Sequence, residues 1–299
     1  MAENKADSSE ELQARKLLAE AEKKSSGKSG GFMSGIFGGG SSKIDDAIEL
    51  YCKAANFFKM AKNWGEAGNC FSKAASLSLG ADNKLEAFQK FSDASNCYKK
   101  VDPARSLECL KQAVAIQTEM GRFTMAAKTH ISIAEIYETD LQDLEQAMVH
   151  YQKAADYYQG EESQSHAQKC LLKVAQFAAD KEDYQKAIQI FEQVANRCAE
   201  NPMLKYGAKE YYFKAALCHM CVDTLNAQHA LARYLDVFPA LQDSREFQLM
   251  KKVLDCMEST DVDSFTAALQ DYDKISRLDP WATSIFLRAK RSMGDNDLT

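Results

Sequence analysis

Long apolar runs are missing from this chain. No stretch approaches the ~20 consecutive apolar residues of a membrane-spanning helix, and the charged N-terminus does not read as a secretory signal. The expectation is a cytosolic protein. Proline and glycine are scarce, with 4 and 14 among 299 residues, as long helices require. An excess of positive charge is lacking too. The 37 Lys and Arg stand against 43 Asp and Glu, for a net charge of −6, which weighs against general nucleic-acid binding but leaves room for a local basic face.

Catalytic patterns are equally absent. His130, His150, His166, His219 and His229 are scattered without an HExxH spacing, and no Gly-x-Ser-x-Gly occurs. Gly27-Lys28-Ser29 resembles the end of a P-loop, but Glu22 stands where the required upstream glycine would be. Nine cysteines in a cytosolic chain read as reduced, buried small hydrophobes. Cys218 and Cys221 form a CxxC inside a predicted helix, with no second pair to complete a zinc set, so core packing is expected. No enzyme activity, metal or cofactor is expected.

What is present is a recurring phrase. An aromatic residue followed at i+3 and i+4 by small ones appears at Tyr51, Phe71, Phe91, Tyr151 and Phe191, at steps of twenty residues or multiples of twenty. Weaker copies fill the gaps at Leu110 with Ala113, Ile131 with Ala134, and Leu171 with Val174 and Ala175. Twenty residues make one helix of about four turns plus a turn, so two phrases make a helical hairpin. A large residue beside small ones on one face is a knob beside a dent. Such hairpins cannot bury their apolar faces alone and stack into a solenoid. The fold class is therefore all-α.

The pattern predicts a helix over 9–24, then a break. Residues 25–42 hold seven glycines and six serines, which make a flexible loop. Yet that loop carries Phe32, Met33, Ile36 and Phe37, apolar groups that suggest a target. Insertion of each into an acyl boundary is worth roughly 1.5–3 kcal/mol before ordering costs. Lys23, Lys24, Lys28 and Lys43 suit anionic headgroups. A membrane surface is the expected target. Helices are predicted near 44–60, 64–78, 84–99, 104–118, 122–137, 144–158, 162–178, 184–198 and 204–222. Turns are marked by Asn63-Trp64, Gly80-Ala81, Asp102-Pro103, Gly121, Asp140 to Asp143, Gly160 and Asp180 to Asp183. The solenoid spans 43–223. Beyond it the phrase fades, and helices near 225–236, 241–257, 262–273 and 280–290 suggest a closing bundle over 224–290. Residues 291–299 form an acidic tail with Leu298 next to the end.

The charges carry the functional signal. Lys128, Lys169 and Lys209 lie 41 and 40 residues apart, the spacing of equivalent helices in successive hairpins. Arg245 falls near the next step. Lys90, Lys99 and Lys100 sit on the earlier helix of the set, Lys173 one turn past Lys169, and Arg122 about two turns before Lys128. A basic stripe on an acidic protein implies an acidic, elongated partner. Lys53, Lys73 and Lys153 also keep phase, so solvated surface is the competing reading.

Several stretches resemble the soluble NSF attachment proteins of the alpha/beta type. They include Lys59 to Trp64, Met120 to Lys128, His130 to Glu138, Tyr157 to Glu162, Cys170 to Ala175, Phe213 to Cys218 and Ile275 to Asp279. The likeness runs from about residue 9 to the end. It implies a twisted sheet of tetratricopeptide-like helical hairpins with a C-terminal bundle. It also implies an adaptor that binds assembled SNARE four-helix bundles and recruits the hexameric ATPase NSF, which disassembles them after membrane fusion. By the same likeness, Lys128 and Lys169 match SNARE-contacting positions, and Arg122, Lys99, Lys100, Lys173, Lys209 and Arg245 extend that face. The loop of Phe32 and Phe37 corresponds to a membrane-inserting loop, with Met33 where a second phenylalanine is common. Leu298 matches the leucine needed to stimulate NSF, with Asp295 and Asp297 as charge partners, while Asn296 and Thr299 depart from the usual ending. Several copies per SNARE complex, a monomer when free, and a cytoplasmic protein peripheral on membranes are the corresponding expectations. A peptide-binding scaffold of the co-chaperone type, gripping short free peptides, is the alternative. A hidden hydrolase is a third.

Overall fold

The computed structural model of the protein describes residues 9–26 and 39–295. The chain forms two compact units, residues 1–167 and 168–299. Among the described residues every regular element is helical. The first unit holds α1 (Ser9–Ser25), α2 (Gly39–Met60), α3 (Trp64–Gly80), α4 (Lys84–Tyr98), α5 (Pro103–Glu119), α6 (Phe123–Thr139) and α7 (Leu144–Gly160), and α8 (Gln164–Asp180) begins in it. In the second unit follow α9 (Tyr184–Glu200), α10 (Lys205–Val222), α11 (Thr224–Val237), a short 3-10 turn (Pro239–Leu241), α12 (Arg245–Glu258), α13 (Val262–Asp273) and α14 (Pro280–Asp295).

The recurring phrase builds the core. Tyr51, Phe71, Phe91, Tyr151 and Phe191 are buried, and the small residues after them (Ala54 and Ala55, Ala74 and Ala75, Ala154 and Ala155) are fully sealed. A second small position, missed in the sequence, lies four residues before each aromatic. Ala47, Ala67, Ala87, Ala127, Ala147, Ala167 and Ala187 are all fully buried, and only Leu107 interrupts the series. Alanine on both sides of the knob lets consecutive helices approach closely. From α1 to α7 each helix packs against the next. The second unit is organised differently around α10, which packs against α9, α11, α12 and α14. Residues 212 to 218 of α10 are buried without a break. A helix enclosed on all sides needs no one-sided stripe, which is why the phrase fades there.

The turns share one geometry. Lys62, Asp82, Gly121, Glu162, Glu182 and Thr260 adopt left-handed backbone, with φ between 54° and 68°. The next residue returns its N–H to the carbonyl five residues back, as in Asn63 to Phe58 (2.8 Å) and Asp183 to Ala178 (2.8 Å). That residue then caps the next helix. Asn63 accepts from Glu66 N at 3.3 Å, Asn83 from Glu86 N at 3.2 Å, and Asp183 from Lys186 N at 3.3 Å.

Several boundaries differ from the sequence reading. Gly80 and Gly160 end their helices, while the left-handed positions two residues later are Asp82 and Glu162. The Schellman hydrogen bonds hold those side-chain-bearing residues in a conformation that glycine alone favours. Helix α2 reaches back to Gly39 inside the expected loop, since extending a packed helix adds a bond per residue. Helix α12 starts at Arg245 rather than 241, because Ser244 Oγ accepts from Phe247 N at 3.1 Å and Pro239 sets a separate 3-10 turn. Helix α14 runs on to Asp295, so that residue belongs to the helix rather than the tail.

Candidate partner-binding face

In the first unit, two of the sequence-identified cations meet at one cleft. Lys99, the C-cap of α4, and Lys128 of α6 both line a cleft of about 230 Å3, with Ser92, Asn96, Thr129 and Ser132 between them. Both lysines are exposed. A hydroxyl- and amide-rich cleft rimmed by two ammonium groups suits a carboxylate. Lys100 lies beside it but is engaged, its Nζ 3.4 Å above the centroid of the Trp64 ring. Trp64 opens α3, and its role as a platform was not legible from spacing.

Arg122 sits at the N-cap of α6, where equivalent turns place Asn63, Asn83, Asp143 and Asp183. It makes no capping bond; among the described residues its guanidinium reaches Met125 Sδ, at 3.9 Å. A cation at a helix N-terminus opposes the helix dipole.

In the second unit, Lys169 and Lys173 stand four residues apart on α8, hence on one face. Lys169 is exposed, and Lys173 is half-buried with its Nζ 5.4 Å from the Phe177 ring. Lys209 of α10 is exposed and lies 3.5 Å from Glu246 Oε1. Arg245, the first residue of α12, donates to Ser276 Oγ and lies 5.2 Å from the Tyr272 ring. It lines a cleft of about 290 Å3 with Asp243, Gln248 and Lys252.

Internal pairing distinguishes some of these cations from other lysines of the protein. Lys53 is bound to Glu49 at 2.6 Å, Lys73 to Glu22 at 2.7 Å and Lys84 to Glu119 at 2.7 Å. Lys99, Lys128 and Lys169 have no carboxylate partner among the described residues. Two of the lysines that share the twenty-residue phase, Lys53 and Lys73, are thus neutralised at home, and Lys99, Lys128 and Lys169 are not.

The remaining titratable groups serve packing. His130 and His150 share an Nδ1–Nδ1 hydrogen bond of 2.9 Å, stacked between Tyr157 and Tyr137, and burial pushes both rings down to about 4. Cys218 is buried in α10 and its thiol is pushed well up by burial. Phe32, Met33, Ile36 and Phe37 lie outside the described residues, as do Asp297 and Leu298; Asp295 closes α14.

Comparison with known proteins decides the family. The profile described as "Soluble NSF attachment protein, SNAP" matches residues 12–294. The chain belongs to the soluble NSF attachment protein family. It is 56% identical to the alpha-soluble NSF attachment protein of Mus musculus, covering 97% of this chain and 98% of that one. It is 53% identical to the beta-soluble NSF attachment protein of Bos taurus, over 96% and 98% of the two chains. The probable vesicular-fusion protein sec17 homolog of Schizosaccharomyces pombe is 36% identical over 95% and 98%. In this SNAP-family chain no helix among the described residues is long and apolar enough to cross a membrane.

Proposed function

We propose that this protein is an adaptor that attaches the ATPase NSF to assembled SNARE four-helix bundles, so that NSF disassembles them during vesicle-mediated transport. The observation that carries the reading is the family match along nearly the whole chain. The adaptor itself hydrolyses nothing; its work is geometric. Lys99, Lys128 and Lys169, with Arg122, Lys100, Lys173, Lys209 and Arg245, supply the SNARE-binding cations, and the absence of a carboxylate partner for Lys99, Lys128 and Lys169 among the described residues supports that role. An exposed ion pair is worth only ~0.2–1 kcal/mol, so no single lysine holds the bundle; the summed field of many does.

The loop of Phe32, Met33, Ile36 and Phe37 holds the complex on the bilayer, making the protein peripheral on membranes and raising its effective concentration near membrane-anchored bundles. Asp295, Asp297 and Leu298 contact NSF at the end of α14. Several copies surround one bundle, and the free protein is a monomer. Sedimentation with liposomes carrying SNARE complex tests the reading. The full chain should co-sediment, and deletion of 25–42 should weaken that without weakening binding to the soluble bundle. Preference for a short free peptide over the assembled bundle would instead favour a peptide-binding scaffold.

A further inference from the structure

We propose that Glu246 is an internal competitor for the partner's carboxylates and holds down the affinity that Lys209 contributes. The inference rests on the adaptor reading. Lys209 is exposed on α10, and Glu246 lies in the first turn of α12 beside Arg245. Lys209 Nζ and Glu246 Oε1 are 3.5 Å apart. The two partners are unequal, since the lysine side chain is 47% exposed and the glutamate 19%. The second carboxylate oxygen, Oε2, is buried and accepts no hydrogen bond among the described residues. Glu246 also faces Tyr272, whose phenol is pushed up by burial and by the Glu246 charge. The neighbouring Arg245 donates to Ser276 and lies over the Tyr272 ring. Lys209 is therefore the cation paired with Glu246.

This geometry encumbers Lys209. It cannot turn fully to an external acid without leaving a largely buried carboxylate unpaired, which costs more than breaking an exposed pair. Lys99, Lys128 and Lys169 carry no such obligation. The proposed SNARE-binding cations thus include three with no carboxylate partner among the described residues and one already claimed. A face of free cations alone would grip an acidic rod more tightly and release it more slowly. Glu246 weakens that grip at Lys209.

Binding of soluble SNARE bundle at low salt tests this, using wild type, Glu246→Gln, Glu246→Asp, Lys209→Met and the Glu246→Gln/Lys209→Met double variant. Glu246→Gln should tighten binding about two- to fivefold, mainly through slower dissociation. Glu246→Asp withdraws the carboxylate by one methylene while keeping a charge that favours the start of α12, and should fall between. In the Lys209→Met background the gain should shrink to less than half. Unchanged or weaker binding by Glu246→Gln, with wild type binding normally, would overturn this inference alone. A wild-type protein that does not bind the bundle would overturn the adaptor reading and this inference with it.

Discussion

At the residue scale, Arg122 sets helix capping against its proposed place among the SNARE-binding cations. It occupies a cap position that Asn or Asp fills at seven other helix starts, and it forgoes both the capping bond and the favourable dipole interaction. Arg122→Asn should therefore stabilise the protein by ~0.5–2 kcal/mol in urea denaturation while weakening SNARE-bundle binding. A variant that binds better, or that melts earlier, would remove Arg122 from the face. Gly68 shows a different constraint. A Cβ there would lie 2.6–2.8 Å from the Tyr98 ring, which is fully buried, anchored to Asn69 Oδ1 at 2.8 Å, and covered by Arg105 at 4.2 Å. The ring has no room to yield, so Gly68→Ala should cost ~1–3 kcal/mol in the same assay.

His130 and His150 predict a pH dependence. Their folded pKa of about 4 lies below the ordinary value of 6.5. The unfolded chain binds protons that the folded chain refuses, so the neutral pair's contribution is whole above pH ~6.5 and is lost as pH falls toward 4. The urea midpoint should be lower at pH 5 than at pH 7. Replacing both residues by Phe should flatten that slope; an undiminished slope would assign it to other groups.

At the scale of elements, two side chains tie α14 to α8. Arg288 donates to Ala179 O at 2.8 Å and Asp180 O at 3.1 Å, the last carbonyls of α8, and lies 3.4 Å from Tyr184 Oη. Trp281, two turns earlier on α14, donates to Gln176 O at 3.3 Å. A guanidinium at a helix C-terminus satisfies orphan carbonyls and complements the dipole. Arg288→Ala should loosen α14, raising amide exchange along it and lowering stability by ~1–2 kcal/mol. Unchanged exchange in α14 would show that other contacts hold it.

The elements were mostly legible in the sequence, and the reasons are specific. The aromatic-then-small phrase fixed most helices to within a few residues, because each knob needs its dent in phase. Asp102, Pro103, Asp279 and Pro280 gave two starts unambiguously. Left-handed positions were not legible, because Lys62, Asp82 and Glu182 carry side chains that signal no turn. Lys99 and Lys128 were visible as charges, but their shared cleft depends on three helices meeting. Glu246 was invisible as a functional residue: an acid among many acids stands out only once its oxygen is seen buried beside Lys209.

At the scale of the whole molecule, the protein is acidic, yet it leaves chosen cations unneutralised within each unit. In the proposed function, that separation of local from net charge underlies binding of the SNARE bundle. It supplies steering and grip toward an acidic rod without making the chain a general polyanion binder. The most direct measurement is binding of soluble SNARE bundle by the Lys128→Glu/Lys169→Glu variant, titrated across ionic strength beside wild type. Both positions are exposed, so folding stability should stay within about 0.5 kcal/mol of wild type. The account predicts that the variant loses binding and that wild-type affinity falls as salt rises. Wild-type affinity in the folded double variant would contradict it.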